Sequence, residues 1–303
     1  MIEPTAEPAV EARGLTKRFG SKLAVGGLDL RIEKGTVFGF IGPNGAGKST
    51  TIRMLMGLLP MNGGDATVMG IDVRQRPEAV RRCVGYVPEQ HLIYRWMRVK
   101  EVLWFCRQLH EAWNESLARE LCQQFELSGQ TKVRHLSKGM LAKLALIIAL
   151  APEPELLILD EPMAGLDPII REEFLETVLQ SFCRGGRTIF FSTHMLGDIQ
   201  RLADSVGIIH DGRLLVHGSV ADLLSRTKRV RLALERDELP AELPQGVIRT
   251  WRNRRECVLT ITDCDSQKVQ HLEDAAQVRV VEVLDVGLED IFKDYIKGQR
   301  EAI

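Results

Sequence analysis

The chain has 303 residues, 45% of them apolar and 27% charged, with 40 Lys/Arg against 41 Asp/Glu and a formal charge of -1. This composition excludes intrinsic disorder and collagen-like repeats, and near-neutrality gives no overall field toward nucleic acid or an anionic membrane. The longest unbroken apolar run, residues 144–151, ends at Pro152, far short of the roughly 20 residues that a bilayer-spanning helix requires.

The N-terminal tail, residues 1–8, carries acids and prolines where a secretion signal would carry basic residues and an apolar stretch, so the chain is expected in the cytosol. Residues 10–15 and 23–32 read as strands, with a turn at Glu33, Lys34 and Gly35. Residues 37–41 (VFGFI) are a compact apolar run of the kind that fills the middle of a sheet covered on both faces. A glycine-rich loop follows, and from Lys48 the spacing becomes helical, with Ile52, Leu55, Met56 and Leu59 three or four apart. Residues 84–87, 156–159, 188–191 and 206–209 read as short buried strands, most of them separated by helix-length segments, which predicts an α/β sheet. Between Val99 and Gln130 strand character disappears, and LWFCRQLHEAW and LARELCQQFEL show helical spacing, predicting a mostly helical insertion. The pair Asp211 and Gly212 predicts a tight hairpin, because a type I′ turn needs positive φ at both central residues.

From Thr227 the texture changes to strand-like VRLALE, a linker with two prolines (DELPAELPQG), VIRTWR, ECVLTITD, helical SQKVQHLEDAA, VRVVEVLDV and helical LEDIFKDYIKG. This predicts a small α+β appendage. The expected division is a tail over 1–8, a main domain over 9–226 with a helical insertion near 91–150, and an accessory domain over 227–303. In the appendage Arg249, Arg252, Arg254 and Arg255 surround Trp251, a pattern that suits nucleic acid or lipid headgroups. Since the appendage has no net basic excess, the stretch is read as a solvated link between two strands. Six cysteines (Cys83, Cys106, Cys122, Cys183, Cys257 and Cys264) form no CxxC pair and the histidines no HExxH, so the thiols are read as reduced and mostly packed.

Gly42, Pro43, Asn44, Gly45, Ala46, Gly47, Lys48 and Ser49 fit G-x-x-x-x-G-K-[ST] between a strand and a helix. Glycines at these places let successive backbone N–H groups converge on phosphate oxygens, and the helix points its positive end at the same anion. In that arrangement Lys48 reaches the β and γ phosphates and the Ser49 hydroxyl can ligate Mg2+. Residues 156–161 (LLILDE) form an apolar strand ending in two acids. Alone, such a pair more often caps a helix. With the phosphate loop upstream, Asp160 stands where a second Mg2+ contact is needed and Glu161 where a carboxylate can polarise an attacking water.

With these motifs the chain resembles the ATP-binding subunits of ATP-binding cassette (ABC) transporters. Leu136, Ser137, Lys138, Gly139 and Met140 take the place of that family's LSGGQ signature, and Ala164, Gly165, Leu166 and Asp167 that of its D-loop. Phe191, Ser192, Thr193 and His194 end in the switch histidine, and Phe19 matches the aromatic that stacks on adenine. The motifs keep the family's order over about residues 9–225. The resemblance implies a P-loop NTPase fold with an antiparallel β subdomain and a helical subdomain, to which the small C-terminal α+β appendage is added. It implies ATP and Mg2+ as cofactors, with ATP bound by Phe19, by the loop from Gly42 to Thr50 and by Asp167 of the D-loop, and covered by Ser137 and Gly139 of a second cassette. A homodimer would be self-sufficient. Glu161 is implied as the base or water-orienting group and His194 as the γ-phosphate sensor, with Ser49, Asp160 and Gln90 as Mg2+ ligands.

The implied partner is an integral membrane permease, contacted through residues 89–98, with the subunit peripheral on the inner face of the membrane and neither inserted into the bilayer nor bound to nucleic acid. Where the family has Gln after a Tyr-x-Pro segment this chain has Glu89 and then Gln90, leaving open which of them serves there. Lys138 and Met140 replace Gly and Gln of the signature, and Ala142 and Lys143 stand where Gln and Arg are common, variants similar to those of ABC-2-type exporters, antibiotic and drug efflux systems included. Transport out of the cell is the expected direction. The competing expectation is a soluble ABC ATPase acting on nucleic acid or ribosomes, against which stand the single cassette and the lack of heptads. A regulatory module with little turnover is a third, against which stand Glu161 and His194.

Overall fold

Alternation of apolar and polar residues builds the first sheet of the computed structural model, which describes residues 7–182, 186–235, 243–274 and 278–301. Strand β1 (Val10–Phe19) pairs antiparallel with β2 (Lys22–Ile32), Val10 opposite Ile32 and Phe19 opposite Lys22. After β3 (Val37–Ile41) and helix α1 (Lys48–Leu55), strand β4 (Gly63–Val68) joins the other edge of β1, and β5 (Ile71–Asp72) completes the order β2-β1-β4-β5. The sequence reading does not contain β4 and β5. Two glycines and an aspartate open β4, and Ala66 and Val68 alone supply its buried side, too weak a pattern to stand out.

Helix α2 (Pro77–Cys83) leads into β6 (Val84–Val87). The segment without strand character contains α3 (Val99–Leu109) and α4 (Glu115–Gln124), and α5 (Lys138–Leu150) follows. Ser137 caps α5 through a bond from the Met140 N–H, and most of this helix is buried, including residues 144–147, 149 and 150 of the apolar run noted above. Then come β7 (Leu156–Asp160), α6 (Pro168–Phe182), β8 (Thr188–Thr193), α7 (Leu196–Leu202), β9 (Ser205–His210), β10 (Arg213–Ser219) and α8 (Val220–Arg226). In the central sheet β6, β7, β8 and β3 run parallel in that order, with Phe38 opposite Phe190 and Asp160 opposite Ser192. Both faces of these strands are covered, and Phe38, Phe40 and Phe190 meet edge-to-face or tilted at the centre of the core. Asp211 and Gly212 have φ of 46° and 74°, as the hairpin reading requires.

Two compact units result: residues 1–195 with 209–214, and residues 196–208 with 215–303. In the second unit β11 (Lys228–Leu234), β12 (Val247–Asn253), β13 (Glu256–Ile261) and β14 (Val278–Asp285) form an antiparallel sheet in the order β12-β13-β11-β14. Helix α9 (Ser266–Asp274) sends Leu272 into a core with Val230, Leu232, Leu234, Cys257, Leu259 and Ile261, while α10 (Leu288–Glu301) lies along β12. The arginine-rich stretch is not a link between strands. Arg249 and Arg252 belong to β12 itself, and only Arg254 and Arg255 form the turn. Cys257 is fully buried and Cys83, Cys106, Cys122 and Cys264 half-buried; Cys183, residues 1–6 of the tail and residues 236–242 of the linker lie outside the described residues. Among the described residues no helix is long and apolar enough to cross a membrane.

Candidate active site

The chain leaves β3 at Ile41 and winds through the glycine loop into α1. A Cβ at Gly42 would lie 2.3 Å from the Ile209 carbonyl oxygen, and Gly47 holds φ +112° as the residue before the helix, so neither position admits a side chain. The hairpin holds the loop from behind, the Gly212 N–H donating to Ala46 O at 2.9 Å. Lys48 is buried and folded back over the loop, its Nζ donating to the carbonyls of Gly42 (2.6 Å) and Pro43 (3.2 Å). The same ammonium lies 3.0 Å from Glu161 Oε1, an ion pair without hydrogen-bond alignment.

The acids arrive at the end of β7. Asp160 is fully buried; its Oδ1 accepts from Ser49 Oγ and Ser192 Oγ, each at 2.9 Å, and its Oδ2 has no hydrogen-bond partner. Burial pushes the Asp160 carboxyl above its ordinary value despite the two hydroxyls, and the nearby Glu89 charge pushes the same way. Glu161 has φ +48°, costly for a residue with a Cβ. Its N–H is held by both the carbonyl (3.2 Å) and the hydroxyl (3.0 Å) of Ser192. That turn brings Glu161 Oε2 to 2.8 Å from His194 Nδ1, at the end of β8. Lys48, Glu161 and His194 thus form one continuous polar chain.

A cavity of about 400 Å3 opens in front of these groups. Of the residues singled out from sequence, Phe19, Asn44, Gly45, Gly47, Lys48, Ser49, Thr50, Glu161 and His194 line it. Phe19 is half-exposed, with Lys17 Nζ 5.3 Å from its ring centre. Gly42, Pro43 and Ala46 shape the loop, and Asp160 lies beneath Ser49, without lining the cavity. Ser137, Gly139 and Asp167 do not line it either. Ser137 Oγ and Asp167 Oδ1 accept from the N–H groups of Met140 and Ile170. Gln90, expected among the cation ligands, does not line the cavity; Glu89 does, and its charge is close enough to act on Asp160.

Lys22, Ala24 and Ala164 also line the cavity and are not among the site residues expected from sequence, although Ala164 is read there as part of the D-loop. The short hairpin turn at Gly20 and Ser21, which sets Lys22 opposite Phe19, was the available signal for Lys22. The departures in the signature are accommodated structurally. Gly165 leaves room for the Lys138 ammonium, which would lie 2.7 Å from a Cβ there, and Lys143 Nζ binds Glu173 Oε2 at 2.6 Å, tying α5 to α6.

Residues 25–164 match the family described as ABC transporter. The linearmycin resistance ATP-binding protein LnrL of Bacillus subtilis (strain 168) is 34% identical over 222 residues, 72% of this chain and 71% of that protein. The daunorubicin resistance ATP-binding protein DrrA3 of Streptomyces coeruleorubidus is 37% identical over 227 residues, 73% of this chain and 72% of that one. A solved ATP-binding subunit of an ABC transporter superposes with a TM-score of 0.66 at 30% identity, over 72% of this chain and 92% of its own. With relatives of this identity matched over more than two thirds of their length, and with the fold in common, the chain belongs to the ATP-binding subunits of ABC transporters.

Proposed function

We propose that the chain couples ATP-driven closure of two cassettes, self-paired, to movement of a separate membrane permease that exports its substrate. As a member of its family it is an ATP-binding and ATP-hydrolysing subunit of the exporter type, like the two resistance proteins. The relatives offer nothing for the competing reading, an ATPase acting on nucleic acid or ribosomes. The observation that carries the mechanism is the Lys48–Glu161–His194 chain above a buried carboxylate with one unpartnered oxygen.

Phosphate oxygens entering the loop compete with Glu161 for the Lys48 ammonium. Once Lys48 turns to the phosphates, Glu161 Oε1 is released to accept a proton from, or orient, the attacking water, while His194 holds Oε2 in place. Catalysis then consists of positioning and charge stabilisation. The oxygen donors Ser49 Oγ and Asp160 Oδ2 suit a hard cation, and the orphaned Oδ2 is the acceptor such an ion would engage. Mg2+ held there would neutralise charge on the phosphates. We assign Glu89 rather than Gln90 to the position after the Tyr-x-Pro segment.

Ser137, Gly139 and Asp167 stand outside the chain's own cavity, which agrees with a role toward the ATP of a second cassette. Residues 9–226 are assigned to the cassette and 227–303 to the accessory domain. For the permease we favour the segment 89–98, where Leu92 is 91% and Trp96 70% exposed and Tyr94 meets Phe105 edge to face. This puts the subunit on the inner face of the membrane. Affinity purification from solubilised membranes tests the reading. It should recover a multi-spanning protein together with Mg2+-dependent ATPase activity that Lys48→Ala abolishes; recovery that depends on nucleic acid and is lost on nuclease treatment would overturn it.

A further inference from the structure

The second unit holds a cavity that shares no lining residue with the nucleotide cavity. Its sheet buries Val230, Leu232, Leu259 and Ile261 with α9 on one face. By strand alternation the other face carries Arg229, Arg249, Trp251, Val258 and Thr260, with Arg249 opposite Thr260 and Trp251 opposite Val258 across the ladder. Between this face and α10 lies an open-sided space of about 350 Å3, the size of a small-molecule site.

The floor of that space is preorganised. Asp294, 2% exposed, accepts from Arg229 Nη2 (2.8 Å), Arg249 Nη1 (2.8 Å) and Thr260 Oγ1 (2.7 Å), which anchors both guanidinium groups. The other lining carboxylate, Asp290, lies 3.7 Å from Arg229. Both acids are therefore engaged with the arginines, and the excess positive charge lies with Lys293 and Lys297, one turn apart on α10. Lys293 has a partner in Glu289, but that pair is solvent-exposed and exchangeable. On the same wall Trp251 leaves 46% of its surface uncovered, beside Val258.

We propose that this cavity binds a small anion with an aromatic or apolar body, its acid group meeting Lys293 and Lys297 and its ring covering Trp251 and Val258. The probe is 8-anilinonaphthalene-1-sulfonate, titrated into the full chain by fluorescence. A single saturable site is expected, with Kd raised at least tenfold in Lys293→Ala/Lys297→Ala and in Trp251→Ala. N-phenyl-1-naphthylamine, the same rings without the sulfonate, should bind at least tenfold more weakly. Hydrogen exchange should slow in β12 and α10 on binding. An unchanged Kd in the double lysine variant, equal binding of the neutral analogue, or protection confined to the exposed aromatics of α3 would each overturn the proposal. Because Lys293 and Lys297 are exposed, that variant retains its fold, and with the neutral analogue it decides the matter even if Trp251→Ala does not fold.

Discussion

Asp160 and Asp294 are both almost completely removed from water, at 0% and 2% exposure, yet their surroundings differ in kind. Asp294 has three donors, two of them cationic, and although burial pushes its carboxyl up, Arg249, Arg229 and Thr260 outweigh that and hold it below the ordinary value. Asp160 has two hydroxyls on one oxygen and nothing on the other, and burial wins, raising it. A saturated buried carboxylate is a structural clamp. An unsaturated one is a site waiting for a ligand, kept at some cost to the stability of the free protein.

The comparison can be broken most sharply at the neighbour of Asp160. Glu161→Gln should lower ATP turnover by about 10²–10⁴-fold while ATP still binds and the closed dimer accumulates; single-turnover kinetics with size-exclusion chromatography read both, and normal turnover would remove Glu161 from its role. Next in size, Asp294→Ala should destabilise the chain by about 2–3 kcal/mol in urea, below the range for a fully buried pair because Arg229 and Arg249 can rehydrate. A smaller effect of opposite sign is expected for Asp160→Asn: a gain of roughly 1 kcal/mol in nucleotide-free stability, with Mg2+-dependent ATP hydrolysis lost. A destabilised Asp160→Asn protein would show that Asp160 is a clamp as well.

The smallest effect is the pH dependence, where the two acids carry opposite signs. The Asp294 carboxyl is lowered in the fold, so its contribution is complete above the unfolded value of 3.8 and disappears as pH falls through the lower folded value. The Asp160 carboxyl is raised, so its contribution is present below 3.8 and is lost as pH rises through the higher folded value. Urea midpoints measured against pH should show Asp294→Asn flattening the acid limb and Asp160→Asn flattening the decline above it.

Much of the nucleotide site is legible in the order of residues, because its requirements are local. Strands 37–41 and 84–87 are observed with the expected ends, and the loop between β3 and α1 is a short-range arrangement that contiguous glycines encode. What is not legible depends on distance along the chain. The Lys48–Glu161 pair joins residues far apart in sequence, and Arg229, Arg249 and Thr260 reach Asp294 across separations of 65, 45 and 34 residues. The choice between Glu89 and Gln90 turns on a bend after β6, where adjacent residues differ in whether they meet the cavity. Weakly patterned β4 becomes a strand because β1 offers an edge to pair with, and β5 because β4 then offers its own.

By itself the sequence determined that this chain is built to bind a nucleotide phosphate, since backbone geometry at Gly42 and Gly47 and the groups of Lys48, Ser49, Asp160 and Glu161 are properties of residue type and local order. Only the tertiary structure decided how those charges are disposed without ligand. Burial and pairing depend on which strands and helices meet: the same carboxylate chemistry became an open site at Asp160 and a clamp at Asp294, and an arginine-rich stretch that reads as a solvated link became one wall of a cavity.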